Sequence, residues 1–248
     1  SDPLFGVLNE QDQILVLRGD PLFGGIVPTE SKVALTDVRL LAPVIPRSKV
    51  VCVGKNYSDH AAEMGSEVPK EPVIFLKPNT SVIGPDDTIQ WPRMSERVDF
   101  EGELAIVISR ICKDVPAAKI DDVIFGYTIA NDVTARDLQK VDGQWNRAKG
   151  FDTFCPLGPW IETDFVPGEQ KIITTLNGEV KQSEPLSSMN FKIPQIIEFV
   201  SSVMTLLPGD VILTGTPAGI GPMPAGATVV VSIEGIGSLS NKVSSRAS

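Results

Sequence analysis

Apolar positions along this 248-residue chain fall into short runs, rich in β-branched residues and bounded by glycine and proline. The main runs are QILVL (13–17), VVCVG (50–54), PVIFLK (72–77), ELAIVI (103–108), IFGYTIAND (124–132), KIITTLN (171–177), DVILTG (210–215) and TVVVSIEG (228–235). Runs of this length and composition predict strands. Helical periodicity is confined to SDHAAEM (58–64), VTARDLQK (133–140) and IPQIIEFVSSVMTL (193–206), the last with apolar residues recurring at i, i+3, i+4 and i+7. The pattern predicts a mainly β protein of β-rich α+β type. Residues 1–45 read as a small β-rich N-terminal region, closed by LLAPVIPRSK with Pro43 and Pro46 at the boundary, and residues 46–248 as the main domain. No repeat is visible, and the tail SSRAS (244–248) is expected to be disordered.

One predicted strand carries an anomaly. In VDFEGELAIVI (98–108), Glu101 and Glu103 stand at i, i+2 and so share a face, with Phe100, Leu104, Ile106 and Ile108 on the other. Two like charges about 6.6 Å apart repel by about 2–3 kcal/mol at an effective dielectric of about 20. Either the strand is an exposed edge with solvated glutamates, or a cation neutralises the pair. Gly102, between them on the opposite face, leaves room for a close neighbour.

Charge and composition narrow the chemistry. A net charge of −9 with no basic run argues against a nucleic-acid partner. No segment approaches the ~20 consecutive apolar residues of a membrane span. The N-terminal SDPLFGVLNEQDQ lacks the basic and apolar regions of a leader, so a cytoplasmic location is expected. Cys52, Cys112 and Cys155 are odd in number and lack CxxC spacing, which predicts free, mostly buried thiols. With His60 the single histidine, a metal would have to be held by carboxylates, which suit hard cations such as Mg²⁺, Mn²⁺ or Ca²⁺.

Several further residues are candidates. Asp132 closes an apolar run at a strand-to-helix turn, where it is either a helix N-cap or a third carboxylate beside Glu101 and Glu103. On a helix opening at Asp132, Arg136 and Gln139 share the face beneath it and suit a substrate carboxylate or keto oxygen; a solvated amphipathic face is the alternative. Lys149, in the apolar and proline-bounded RAKGFDTFCPLGPW, is either partly desolvated and suited to an anion or an enolate, or a snorkelling surface lysine. His60 and Glu63 at i, i+3 in GKNYSDHAAEM make a candidate general-base dyad, unless His60 is simply structural. LTGTPAGIGPMPAG lacks the GK[ST] of a phosphate loop and reads as tight turns, with Thr216 offering a hydroxyl to a ligand.

Taken in order, VGKNYSDHAAEM, VDFEGELAIVI, NDVTARDLQ, AKGFDTFCPLGP and LLPGDVILTGTPAGIGP resemble the motifs of the fumarylacetoacetate hydrolase family, over about residues 45–243. The resemblance implies a mixed β-sandwich roll of that family's C-terminal domain type, a homodimer, and a Mg²⁺ or Mn²⁺ site held by Glu101, Glu103 and Asp132. It further implies substrate contacts from Arg136, Gln139, Lys149 and Thr216, with Lys149 near the metal, and a catalytic dyad of His60 and Glu63. The chain is shorter than the long fumarylacetoacetases of tyrosine breakdown. It is similar instead to the compact branch of acylpyruvate hydrolases, oxaloacetate decarboxylases and 2-hydroxyhepta-2,4-diene-1,7-dioate isomerases of aromatic catabolism. The expected substrate is a small 2-keto acid. The expected reaction is metal-dependent C–C hydrolysis of an acylpyruvate such as fumarylpyruvate through a metal-stabilised enolate, with oxaloacetate decarboxylation and then isomerisation as alternatives. A binding module holding a structural Ca²⁺ at the three carboxylates is the non-enzymatic alternative. Segments around 64–72 and 140–148 are expected to decide which acyl group is recognised.

Overall fold

The computed structural model describes residues 2–246. Contacts divide the chain into two units, Ser1–Leu40 and Leu41–Ser248. In the first, Gly6–Leu8, Gln13–Leu17 and Pro28–Ala34 form an antiparallel sheet with QILVL as its middle strand. A single-turn helix, Pro21–Gly24, starts where the Asp20 carboxylate accepts the Leu22 N–H at 2.9 Å.

The second unit is built from two larger sheets and one small one. The seven-stranded sheet runs Val73–Lys77, Val50–Gly54, Val211–Leu213, Gly102–Ile108, Ile124–Asn131, Cys155–Glu162, Val82–Ile83. It is mixed: Val211–Leu213 pairs in parallel with Val50–Gly54, and Cys155–Glu162 with Val82–Ile83, while the other pairs are antiparallel. The five-stranded sheet runs Glu179–Pro185, Lys171–Leu176, Thr228–Ile233, Gly237–Val243, Thr88–Ile89. Leu104, Ile106 and Ile129 from the first pack with Ile172, Val231 and Ile233 from the second. Helix Ile193–Val203 adds Ile196, Ile197 and Val200 to this core. The second unit is thus a β-rich sandwich of mixed sheets, and every apolar run named above contributes a strand to one unit or the other.

The VDFEGELAIVI segment departs from the single strand its alternation predicts. It breaks at Glu101 into Val98–Phe100 and Gly102–Ile108. The first piece pairs with Thr134–Ala135 and Gly221–Pro222 in the small sheet, so Phe100 packs with Phe154 and Met223, away from Leu104 and Ile106. Neither piece is exposed: every residue of Gly102–Ile108 is buried, and that strand lies inside its sheet. A Cβ on Gly102 would meet Thr174 Oγ1 at 2.3 Å and Val231 Cγ1 at 2.9 Å, so glycine is needed for the two sheets to approach.

Two helix boundaries also differ from the pattern. Asp132 is not an N-cap: Thr134–Ala135 is still strand, and the helix begins at Arg136, with Ala135 in the capping position. Thr134 and Ala135 are recruited by pairing with Val98–Asp99, which outcompetes the helical periodicity. The long helix stops at Val203, because Met204 is extended and Leu206 bridges Cys112. The tail is held at least to Arg246: Ser244 N–H donates to Ile89 O at 2.9 Å, and Arg246 pairs with Glu96 at 2.8 Å. Ala247 and Ser248, also part of the segment expected to be disordered, lie outside the described residues. The three cysteines are free and buried.

Substituting Gly102→Ala should destabilise the protein by about 1–3 kcal/mol through overpacking, read as a lower urea midpoint at unchanged slope. An unchanged midpoint would mean that the contact between sheets yields without cost.

Candidate metal centre and active site

The strand break and the adjacent strand end bring three carboxylates to one point. Gly102 is paired with Asn131 and Glu103 with Ala130 across neighbouring strands. The Asn131 side-chain carbonyl accepts the Glu101 N–H at 2.9 Å, and the Asp132 N–H donates to Glu101 O at 2.8 Å. These bonds satisfy the backbone where pairing lapses and turn Glu101 toward Glu103 and Asp132. Ligand oxygens of Glu101, Glu103 and Asp132 lie within 4.8 Å of one another, and all three residues are buried.

Such a cluster cannot stand uncompensated in a protein interior. Lys149, at the end of helix Asn146–Lys149, places Nζ 2.9 Å from Glu101, 2.6 Å from Asp132 and 2.8 Å from Thr134 Oγ1. Lys77 Nζ reaches the other Asp132 oxygen at 2.5 Å and Val133 O at 3.2 Å. Arg136 pairs with Glu101, donates to Asp99 at 3.0 Å and to Gln139 Oε1 at 2.7 Å. Burial pushes the Glu101 carboxyl up, but Lys149 and Arg136 outweigh it and hold Glu101 below its ordinary value. Burial pulls the Lys149 ammonium down, and Asp132 and Glu101 reverse this, leaving it above the usual lysine value. Glu103 differs. Burial, then Asp132 and Glu101, push its carboxyl well above the ordinary range. It accepts the Gly215 N–H at 2.6 Å but, among the described residues, has no ion-pair partner.

That imbalance is a fit test for a metal. An all-oxygen donor set, buried, with one carboxylate lacking a cation, suits a hard divalent ion. The three carboxylates also border a cavity of about 210 Å³, which leaves room for other ligands.

The same cavity gathers the remaining candidates. His60, Arg136, Gln139, Lys149 and Thr216 all line it. Glu63 does not line it, but its carboxylate is 3.4 Å from His60 Nδ1 on helix Ser58–Glu63. A carboxylate at Nδ1 favours the tautomer protonated there and leaves Nε2 as the acceptor. Thr216 Oγ1 accepts from Gln182 Nε2 at 2.8 Å. Gln182 Oε1 in turn accepts the Gly102 N–H at 3.1 Å, tying the Thr216 loop to the carboxylate strand. An aromatic wall completes the chamber. Phe75 and Trp145 meet edge to face with centroids 5.2 Å apart, and Lys149 Nζ lies 5.0 Å from the Phe75 ring.

A family model described as fumarylacetoacetate (FAA) hydrolase C-terminal matches residues 49–244, a span that contains every one of these residues. The chain belongs to the fumarylacetoacetate hydrolase family. A second model, Rv2993c-like, N-terminal, matches residues 1–43. Protein Rv2993c of Mycobacterium tuberculosis is 62% identical over 212 residues, covering 84% of this chain and 80% of its own length. The crystal structure of 2-hydroxyhepta-2,4-diene-1,7-dioate isomerase from Mycobacterium marinum shares 53% identity at a TM-score of 0.87, over 97% of this chain and 92% of that one. Fumarylpyruvate hydrolase from Pseudomonas aeruginosa, solved in complex with Mn²⁺ and pyruvate, shares 28% identity at a TM-score of 0.75, over 84% and 99%.

In this fumarylacetoacetate hydrolase family member, sequence reasoning missed Lys77 and Gln182. Lys77 is 1% exposed yet closes the apolar run PVIFLK immediately before a proline, where a lysine ordinarily ends a strand in solvent. Its signal was a charge in phase with Val73 and Phe75. Gln182 sits in a strand with no apolar alternation to mark it as buried.

Adding Mg²⁺ or Mn²⁺ to metal-stripped protein should raise the melting temperature, by about 2–4 °C for each kcal/mol of binding free energy. Glu103→Gln should abolish that rise, and a rise that survives would place the ion elsewhere. Lys77→Met should cost about 3–5 kcal/mol in urea unfolding, because it strips a cation from buried Asp132. A cost near zero would mean that Lys149 alone suffices.

Proposed function

We propose that this protein is a Mg²⁺- or Mn²⁺-dependent hydrolase that cleaves a C–C bond in an acylpyruvate-type 2-keto acid such as fumarylpyruvate. The observation that carries the reading is the placement of a histidine with a carboxylate on its Nδ1, His60 with Glu63, at the wall of the cavity that the three carboxylates and Lys149 border. Glu101, Glu103 and Asp132 would hold the cation. When bound, it supplies Lewis-acid polarisation of the keto acid's oxygens.

The chain's own residues account for the other tasks. His60 Nε2 accepts a proton from a water molecule, and Glu63 holds the ring and stabilises the imidazolium that forms. The water oxygen adds to the distal carbonyl carbon. The bond from that carbon to the pyruvate methylene then breaks, the electron pair stays on the pyruvate unit, and the proton returns to it, giving a carboxylic acid and pyruvate. Lys149, fixed by Glu101, Asp132 and Thr134, places a buried positive charge where negative charge develops on the keto oxygen. Arg136, Gln139 and Thr216 orient the substrate from the surrounding wall.

A second reading is isomerisation of a dienedioate, favoured by the 53% identity to the protein named 2-hydroxyhepta-2,4-diene-1,7-dioate isomerase. The same base would then move a proton between carbons, with no water consumed. Oxaloacetate decarboxylation would need neither the water nor the base.

Metal-stripped protein should release pyruvate only once Mg²⁺ or Mn²⁺ is added, and then from fumarylpyruvate and acetylpyruvate well above oxaloacetate. His60→Ala should lower kcat by about 10²–10⁴-fold. Retained hydrolysis in that variant would remove the dyad from the mechanism. Turnover confined to the dienedioate would establish the isomerase instead, and binding of a keto acid without turnover would point to a binding module.

A further inference from the structure

Gln182 is 1% exposed and stands in strand Glu179–Pro185, opposite Thr174 of the neighbouring strand. It does not line the cavity, yet its carboxamide is fully used at the cavity's edge. Oε1 accepts the Gly102 N–H at 3.1 Å, and Nε2 donates to Thr216 Oγ1 at 2.8 Å and to Pro217 O at 2.7 Å. The partners dictate which end is oxygen and which is nitrogen: a backbone N–H can only donate, and a proline carbonyl can only accept. A reversed amide would set donor against donor and acceptor against acceptor.

This polarity passes on to Thr216. A hydroxyl carries a single hydrogen and accepts through its lone pairs. Because Thr216 Oγ1 already accepts from Gln182, its hydrogen is left to donate, and among the described residues the hydroxyl makes no other hydrogen bond. Thr216 is 2% exposed and lines the cavity. The acceptor for that hydrogen therefore belongs to the cavity's occupant, since a buried donor without one is costly.

The donor is also held in place from both sides. On one side, Gly215 N–H donates to Glu103 Oε2 at 2.6 Å, so Thr216 follows directly on a contact with the carboxylate cluster. Gly215 has a φ of 99°, and a Cβ there would lie 2.7 Å from Asn56 Cβ, so only glycine makes that approach. On the other side, Pro217 is tied to Gln182. A Cβ on Gly219 would come within 2.0 Å of Lys181 O, which shows how closely the loop lies against the strand that carries Gln182. A donor fixed in this way meets an anion with little reorganisation.

We propose that Gln182 is a positioning residue: by donating to Thr216 Oγ1, it makes the Thr216 hydroxyl an obligate donor to an anionic oxygen of the ligand bound beside Glu103. The role rests on the reading of this cavity as a keto-acid site. The probe is pyruvate, titrated calorimetrically into the full chain with Mg²⁺. Gln182→Glu is nearly isosteric and keeps the acceptor for Gly102, but it replaces the donor with a carboxylate oxygen that takes the Thr216 hydrogen for itself. It should weaken pyruvate binding about tenfold or more. Gln182→Met introduces no charge and carries the test if the first variant does not fold; it should weaken binding in the same direction, by less. Thr216→Ser should preserve the loss caused by either Gln182 substitution and Thr216→Val should abolish it, because the effect travels through the hydroxyl. Unchanged pyruvate affinity in the Gln182 variants, or a loss of equal size in the Thr216→Val background, overturns the role. The expected dependence on Gln182 in protein that cleaves no acylpyruvate overturns the proposed reaction and leaves the positioning role standing, and wild-type protein that binds no pyruvate overturns both.

Discussion

The burial of three carboxylates against three cations is the constraint around which the main unit is arranged. Glu101, Glu103 and Asp132 could not be packed inside a β-sandwich unless Lys77, Arg136 and Lys149 were buried with them. Each cation arrives from a different part of the chain: the end of an outer strand, the first turn of one helix and the last turn of another. An ion cluster of this kind adds little net stability, since desolvation offsets its attraction, but removing one of the paired groups strands an opposite charge. The cluster therefore locks these elements into a single arrangement.

The sheets supply the precision. A continuous strand would have sent the charges of Glu101 and Glu103 to the face opposite Gly102 and left the register open. The break at Glu101, sealed by Asn131 and by the Asp132 N–H, fixes where the two carboxylates sit relative to the next strand. Gly102 allows the five-stranded sheet to close on the other side, and Gln182 links that closure to the Thr216 loop. Core packing and site geometry are one problem here, because the residues between the carboxylates carry the contact between sheets.

Charge is also distributed unevenly within the cavity. On its floor the positive groups are matched by carboxylates, while Glu103, which accepts the Gly215 N–H, has no ion-pair partner among the described residues. Lys55 and Lys140, which also line the cavity, make no ion pair or side-chain hydrogen bond among the described residues. On the proposed reading, the imbalance at Glu103 has a complementary occupant, a divalent cation. The family's solved members carry both hydrolase and isomerase names.

The sequence by itself determined the β-rich class, the individual strands and the carboxylate pair, because alternation of apolar and polar residues and i, i+2 spacing are local properties of a strand. His60 with Glu63 and Arg136 with Gln139 were legible for the same reason, each lying within one turn of helix. Tertiary structure alone decided that VDFEGELAIVI breaks at Glu101, that Thr134 and Ala135 join a sheet instead of opening a helix, and that Lys77 is buried. All three depend on pairing partners distant in the chain, Thr134–Ala135 against Val98–Asp99 and Lys77 against Asp132. A lysine before a proline carries the same local pattern whether it meets water or a buried aspartate, and only the fold supplies the aspartate.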